Sequence, residues 1–80
     1  MTPAEFKKIR ERLGLTQKEL SEVLGLAGYN PVGRYELGER TPALLTQAVM
    51  SILGSQSEKD ASELMTLLKK HIKKVSNAKA

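Results

Sequence analysis

The sequence predicts an all-α protein: a compact bundle of five short helices, with a helix-turn-helix at the second and third. Three observations carry this. Helix-start signals recur along the chain, at Thr2-Pro3, Thr16-Gln17, Thr41-Pro42 and Ser57. Between them, apolar residues repeat at three- and four-residue spacing, which gathers them on one face of a helix. No segment alternates apolar and polar residues as a half-buried strand does.

The elements follow in order. Thr2-Pro3-Ala4-Glu5 is a capping box with proline at the first helical position, where a missing N–H costs nothing. Phe6, Ile9 and Leu13 form the apolar face of helix one, and Gly14 stops it. Thr16-Gln17-Lys18-Glu19 is a second capping box; Leu20, Val23 and Leu24 form the buried face, and Gly25 is the stop. Helix three has two candidate starts, Asn30-Pro31 or Ala27-Gly28, and ends at Gly38 with Val32 and Tyr35 inward. Thr41-Pro42 is expected to cap helix four. Leu45, Ala48, Val49, Ile52 and Leu53 would form its apolar stripe, with Gly54 at its end. Ser57, with Asp60 three residues on, caps helix five to about Val75, and Ser76 to Ala80 are expected to fray. The chain divides into residues 1–54, holding the helix-turn-helix, and residues 55–80, a C-terminal helix with a basic tail.

Composition narrows the function. The chain has 80 residues, 13 Lys+Arg, 9 Asp+Glu and 1 His, a formal net charge of +4. Its sequence pI is about 9.6, which suits an anionic partner. Such a length buries one core and leaves no room for a second catalytic lobe. With no cysteine there is no disulfide, thiolate metal site or Cys nucleophile. No nucleophile–base pair, metal-ligand spacing or phosphate-cradling glycine loop is present, so no enzyme activity, metal or cofactor is expected. No apolar run exceeds three residues, so no transmembrane helix is expected. Glu5, Lys7, Lys8 and Arg10 stand where a signal peptide needs an apolar stretch, which points to the cytoplasm.

A capped helix, a glycine-containing turn and a second short helix have the size of a helix-turn-helix unit. Ile9-Arg10-x-x-Leu13-Gly14-Leu15-Thr16-Gln17-x-x-Leu20-Ser21-x-x-Leu24-Gly25-Leu26, followed by Arg34-Tyr35-Glu36-x-Gly38-x-x-x-Pro42, resembles the lambda-repressor/Cro-like (XRE) DNA-binding domain. The resemblance covers roughly residues 4 to 53. It implies a lambda-repressor-like bundle that binds double-stranded DNA, with Gln17 anchoring the DNA backbone. The N-terminus of helix two, with Thr16 and Lys18, offers free N–H groups to a phosphate. Arg40 is a further phosphate candidate. Helix three would enter the major groove with Tyr29, Asn30, Gly33 and Arg34 exposed to the bases. Arg pairs with guanine and Asn with adenine, although Arg34 can equally hold a phosphate and Asn30 can be a pure helix cap. Tyr29 suits a sugar-phosphate or thymine-methyl contact, or covers the core edge. Gly33 is unusual inside a helix, where it costs about 1 kcal/mol against Ala; close backbone approach to DNA or to helix two explains it, and so does tolerated drift. The turn is one residue longer than the family pattern and lacks the usual Ser/Thr start, so the base-reading positions are set to within about one residue.

The resemblance also implies a partly buried ion pair between Arg10 and Glu36. On helix five, Leu64, Leu68, Ile72 and Val75 share a stripe with Ala61; it either closes the core or makes a two-fold dimer contact. The expected function is a sequence-specific transcriptional regulator. It would act as a homodimeric repressor on a palindromic operator, of the phage, prophage or toxin–antitoxin kind, with no second domain to sense a ligand. The alternative is a protein-interaction module or antitoxin using the same fold, with a toxin or antirepressor as partner. The charge does not decide between them. Residues 16–40 carry three cations and four anions, residues 41–54 none, and residues 55–80 six cations and three anions. The basicity therefore lies mostly outside the reading unit.

Overall fold

A computed structural model describes residues 1–77 and shows five helices in the order α1 (Pro3–Arg12), α2 (Gln17–Leu24), α3 (Pro31–Glu36), α4 (Leu44–Ser55) and α5 (Glu58–Asn77). No strand occurs among the described residues. Both capping boxes form. Thr2 accepts from the Glu5 N–H and Thr16 from the Glu19 N–H, while each glutamate accepts from the N–H of its cap. Gly25 ends α2 in the left-handed conformation, φ 65°. A side chain there is disfavoured twice, because a Cβ would also stand 2.7 Å from Ile72 Cδ1, which would have to shift.

Phe6, Leu20, Val32 and Met50 meet at the centre, one each from α1, α2, α3 and α4. Each such side chain contributes roughly 1.5–3 kcal/mol by leaving water. Tyr35 meets the Phe6 ring edge-on, with centroids 5.5 Å apart. α2 packs on both α3 and α5, while α1 packs on α3 and α4. Ala61 is buried, and Leu64, Leu68 and Ile72 are half-buried, so α5 closes the core. Val75 is 70% exposed. The helix continues past Val75 through Ser76 to Asn77; the expected fraying of Ala78 to Ala80 lies outside the described residues.

Helix four differs from expectation in three ways. Thr41-Pro42 does not cap it. The helix starts two residues later with Ala43 as an N-cap that makes no side-chain bond, and the Pro42 carbonyl accepts from Gln47 Nε2 at 2.9 Å. Gly54 does not end it. It lies inside the helix where Ile9 packs close, 3.1 Å from the place a Cβ would take. The stripe is also rotated. Met50 and Leu53 are buried and Val49 is half-buried, while Leu45, Ala48 and Ile52 are exposed. A helix without charged residues has no strongly hydrated side to orient it, so which apolar face turns inward is decided by its neighbours.

A candidate nucleic-acid interface

α2, a turn and α3 form a helix-turn-helix unit. Its turn ends at Asn30, which settles the start of α3: the Ala27-Gly28 alternative is not used. Asn30 takes the left-handed conformation (φ 42°, ψ 57°), and its Oδ1 accepts from the Gly33 N–H at 3.1 Å. Asparagine tolerates that backbone better than most residues, and Pro31 supplies the first helical φ.

Asn30 is one end of a side-chain chain that joins three helices. Its Nδ2 donates to Gln17 Oε1 at 3.3 Å. Gln17 Nε2 donates to Glu36 Oε1 at 3.1 Å. Arg10 grips the same carboxylate with Nε at 2.6 Å and Nη2 at 3.1 Å, and its Nη1 donates to the Leu15 carbonyl at 2.9 Å. The Arg10 and Glu36 side chains are only 13% and 5% exposed. This hydrogen bonding to Glu36 holds the Arg10 guanidinium still more firmly in its charged form. A bidentate pair so little exposed to water fixes α1 against the end of α3.

Gly33 corrects the sequence reading. It was expected to be exposed to the bases, yet it is buried. The Asn30 side chain folds back over it, with Asn30 Cγ 2.7 Å from the position of a Cβ. The glycine therefore makes room for the cap.

The other candidates fall into three places. Thr16, Gln17 and Lys18 at the start of α2 line one open cleft with Gly28, Tyr29, Asn30 and Pro31 of the turn. Arg34 is exposed on α3 outside that cleft. Arg40 lines a separate depression beside Thr2, Pro3, Tyr35 and Pro42. In the cleft, Tyr29 is 86% exposed. The N–H groups of Gln17 and Lys18 have no partner within α2, as at any helix start. Glu19, which shares this turn, is bonded to Thr16, and that bonding keeps its carboxyl below the usual range. The surface therefore presents donors: backbone N–H groups, the Lys18 amine, the Tyr29 hydroxyl and the remaining amide hydrogens of Gln17 and Asn30. The only carboxylate in the connected chain, Glu36, already accepts from Arg10 and Gln17.

Two residues here escaped the sequence reading. Ser21 lines the cleft and its Oγ donates to the Gln17 carbonyl at 3.0 Å; a serine in the second turn of any helix gives no signal for this. Arg12 bonds the Gly54 and Gln56 carbonyls, tying α1 to the end of α4. A surface arginine carries no mark of such a partner.

Over 58 residues, 72% of its length, the chain is 38% identical to antitoxin MqsA of Escherichia coli (strain K12). That match covers 44% of MqsA, so the chain spans less than half the length of this relative. No family model matches the chain, and no solved structure does. Among the described residues, no group of three or more His, Cys, Asp or Glu could hold a metal, and no helix is long and apolar enough to cross a membrane.

Proposed function

We propose that this chain is a cytoplasmic DNA-binding transcriptional regulator of the lambda-repressor/Cro-like type, without catalytic activity. Two copies act on a palindromic operator and repress by occluding polymerase. The observation that carries the reading is the donor-rich cleft between α2 and the cap of α3, whose lining residues Arg10, Gln17 and Asn30 are tied together through Glu36. Donors that are fixed before binding meet phosphate oxygens and base edges without further ordering cost. The start of α2 and Lys18 hold phosphates. Arg40 holds another on the far side of α3. Arg34 and Tyr29 reach toward base edges, and residues 1–54 act as the binding unit.

Gln17 and Asn30 take a narrower part than the family pattern implies. Each spends one side-chain atom or more inside the protein, so they offer single hydrogens rather than bidentate pairing. Base discrimination then falls mainly to Arg34.

The similarity to an antitoxin favours a second role, in which the chain binds a protein toxin. Both roles are tested by titrating the chain against duplex DNA from upstream of its own gene and against scrambled duplex, at two salt concentrations. Preference for the upstream duplex by at least about 10³-fold is expected for a specific reader. Equal affinities that fall together with salt would leave only nonspecific adhesion and favour the protein-binding role.

A further inference from the structure

Four polar groups stand in a row across α2 and α3: the Glu36 carboxylate, the Gln17 amide, the Asn30 amide and the Gly33 N–H. Chemistry fixes both ends. A backbone N–H only donates, and an ionised carboxylate only accepts. Arg10 holds that carboxylate by two bonds, and the Glu36 side chain is 5% exposed, so it does not turn away to water. Each amide between them has one donor end and one acceptor end. Gln17 Nε2 must therefore face Glu36, which leaves Gln17 Oε1 for Asn30. Asn30 Nδ2 must face that oxygen, which leaves Asn30 Oδ1 for Gly33. The observed bonds, 3.1, 3.3 and 3.1 Å, run in that order. Turning the Asn30 amide over sets N–H against N–H at Gly33 and oxygen against oxygen at Gln17. Turning both amides over sets Gln17 Oε1 against Glu36. Either change loses two of the three bonds.

We infer that Glu36 is a positioning residue: through Gln17 it sets the Asn30 amide so that a DNA base meets its N–H and not its carbonyl. The inference rests on the proposed function, in which the start of α3 faces the bases. One Nδ2 hydrogen of the exposed Asn30 stays free, while Oδ1 is turned back onto buried Gly33. In the major groove guanine offers O6 and N7 as acceptors, adenine N7 and thymine O4, whereas cytosine offers only its amino N–H. The base under Asn30 is therefore guanine, adenine or thymine, and cytosine is refused. An asparagine free at both ends of its amide would instead choose adenine, by pairing with N6 and N7 together. Glu36 touches no base in this arrangement and acts only through the sense of the row.

Asn30→Asp and Glu36→Gln, made singly and together, test this by urea denaturation without DNA. Aspartate tolerates the left-handed backbone and keeps an oxygen for the Gly33 N–H. Its second oxygen opposes Gln17 Oε1, which Glu36 prevents from turning, so Asn30→Asp should lower the urea midpoint. Glu36→Gln removes that constraint. Gln17 can then turn and donate to the new carboxylate, so the double variant should lose less than the sum of the single losses. Additive losses would overturn the relay. The same cycle in a Gln17→Leu background separates it from plain charge repulsion: the coupling should vanish there, and coupling that persists would overturn the relay too. Base preference gives a second reading, on a duplex selected by the wild type and substituted one base at a time. The position under Asn30 is the one where Asn30→Asp changes the preferred base. Cytosine there should weaken wild-type binding roughly tenfold, and Asn30→Asp should favour it, because a carboxylate accepts from the cytosine amino group. Selective binding with no such position, or a wild type that accepts cytosine or takes adenine alone there, would overturn the inference. Coupling in a chain that binds no duplex selectively removes only the DNA reading, and selective binding without coupling removes only the relay.

Discussion

Gly33 and Asn30 fit together as socket and cap: the Asn30 carboxamide occupies the space that a side chain at position 33 would need, and its Oδ1 accepts from the Gly33 N–H. Glycine inside an open helix costs about 1 kcal/mol relative to alanine, so Gly33→Ala would ordinarily stabilise. Here the substitution should lower stability, because the new methyl expels the cap. In an Asn30→Gly background, which keeps the left-handed backbone but removes the side chain, the same substitution should be neutral or stabilising by up to about 1 kcal/mol. Urea denaturation of the four proteins gives the coupling. Additive effects would contradict the socket.

Arg10→Met should cost about 3–5 kcal/mol, since it strands the little-exposed Glu36 carboxylate. Removing both charges, as Arg10→Met with Glu36→Leu, should recover part of that loss. Equal thermal midpoints for the wild type and Arg10→Met would reject the pair as a structural tie.

The capping boxes predict acid sensitivity. Backbone and side-chain hydrogen bonds with Thr2 hold Glu5 below its ordinary range, and the same bonds with Thr16 do so for Glu19. A carboxyl lowered in the folded state contributes stability that is full above its unfolded value, about 4.3. That stability is lost as pH falls through the lower folded value. Denaturation midpoints should therefore drop below about pH 4.3, and Glu5→Gln with Glu19→Gln should flatten part of that drop. A double variant with an unchanged acid profile would show that these bonds are not held in solution.

Lys18→Ala and Arg34→Ala should weaken DNA binding in different ways. A phosphate contact at Lys18 is sequence-blind, so its loss should weaken all duplexes alike and reduce the salt slope by about 1. A base contact at Arg34 should cost about 1–3 kcal/mol on the preferred site and relax selectivity at one position. Uniform weakening by Arg34→Ala would assign it to a phosphate.

Much of the fold was legible where side chains act on their own neighbourhood. Thr2 with Glu5 and Thr16 with Glu19 are complete local devices, and both helices start where those residues put them. Asn30-Pro31 was legible as one of two starts; in the structure the Asn30 cap on the Gly33 N–H marks the start, and Gln17, thirteen residues away, holds the other end of the Asn30 amide. Thr41-Pro42 misled because it has the form of a cap, while the Pro42 carbonyl is taken by the Gln47 side chain and the helix begins beyond it. The face of α4 was unreadable for a related reason: apolar residues surround it, and only packing against Phe6, Leu20 and Val32 selects Met50. At the candidate site, the residue types at the start of α2 were evident. The burial of Gly33 and the internal use of Gln17 were not, because the first depends on where the Asn30 side chain folds and the second on Glu36, nineteen residues away.

Selection from a random duplex library tests the central claim most directly. Two reading units on a two-fold axis should enrich an inverted repeat with half-site centres about 10 base pairs apart, one helical turn. Recovery of unenriched sequence, bound no better than the starting library, would contradict the account.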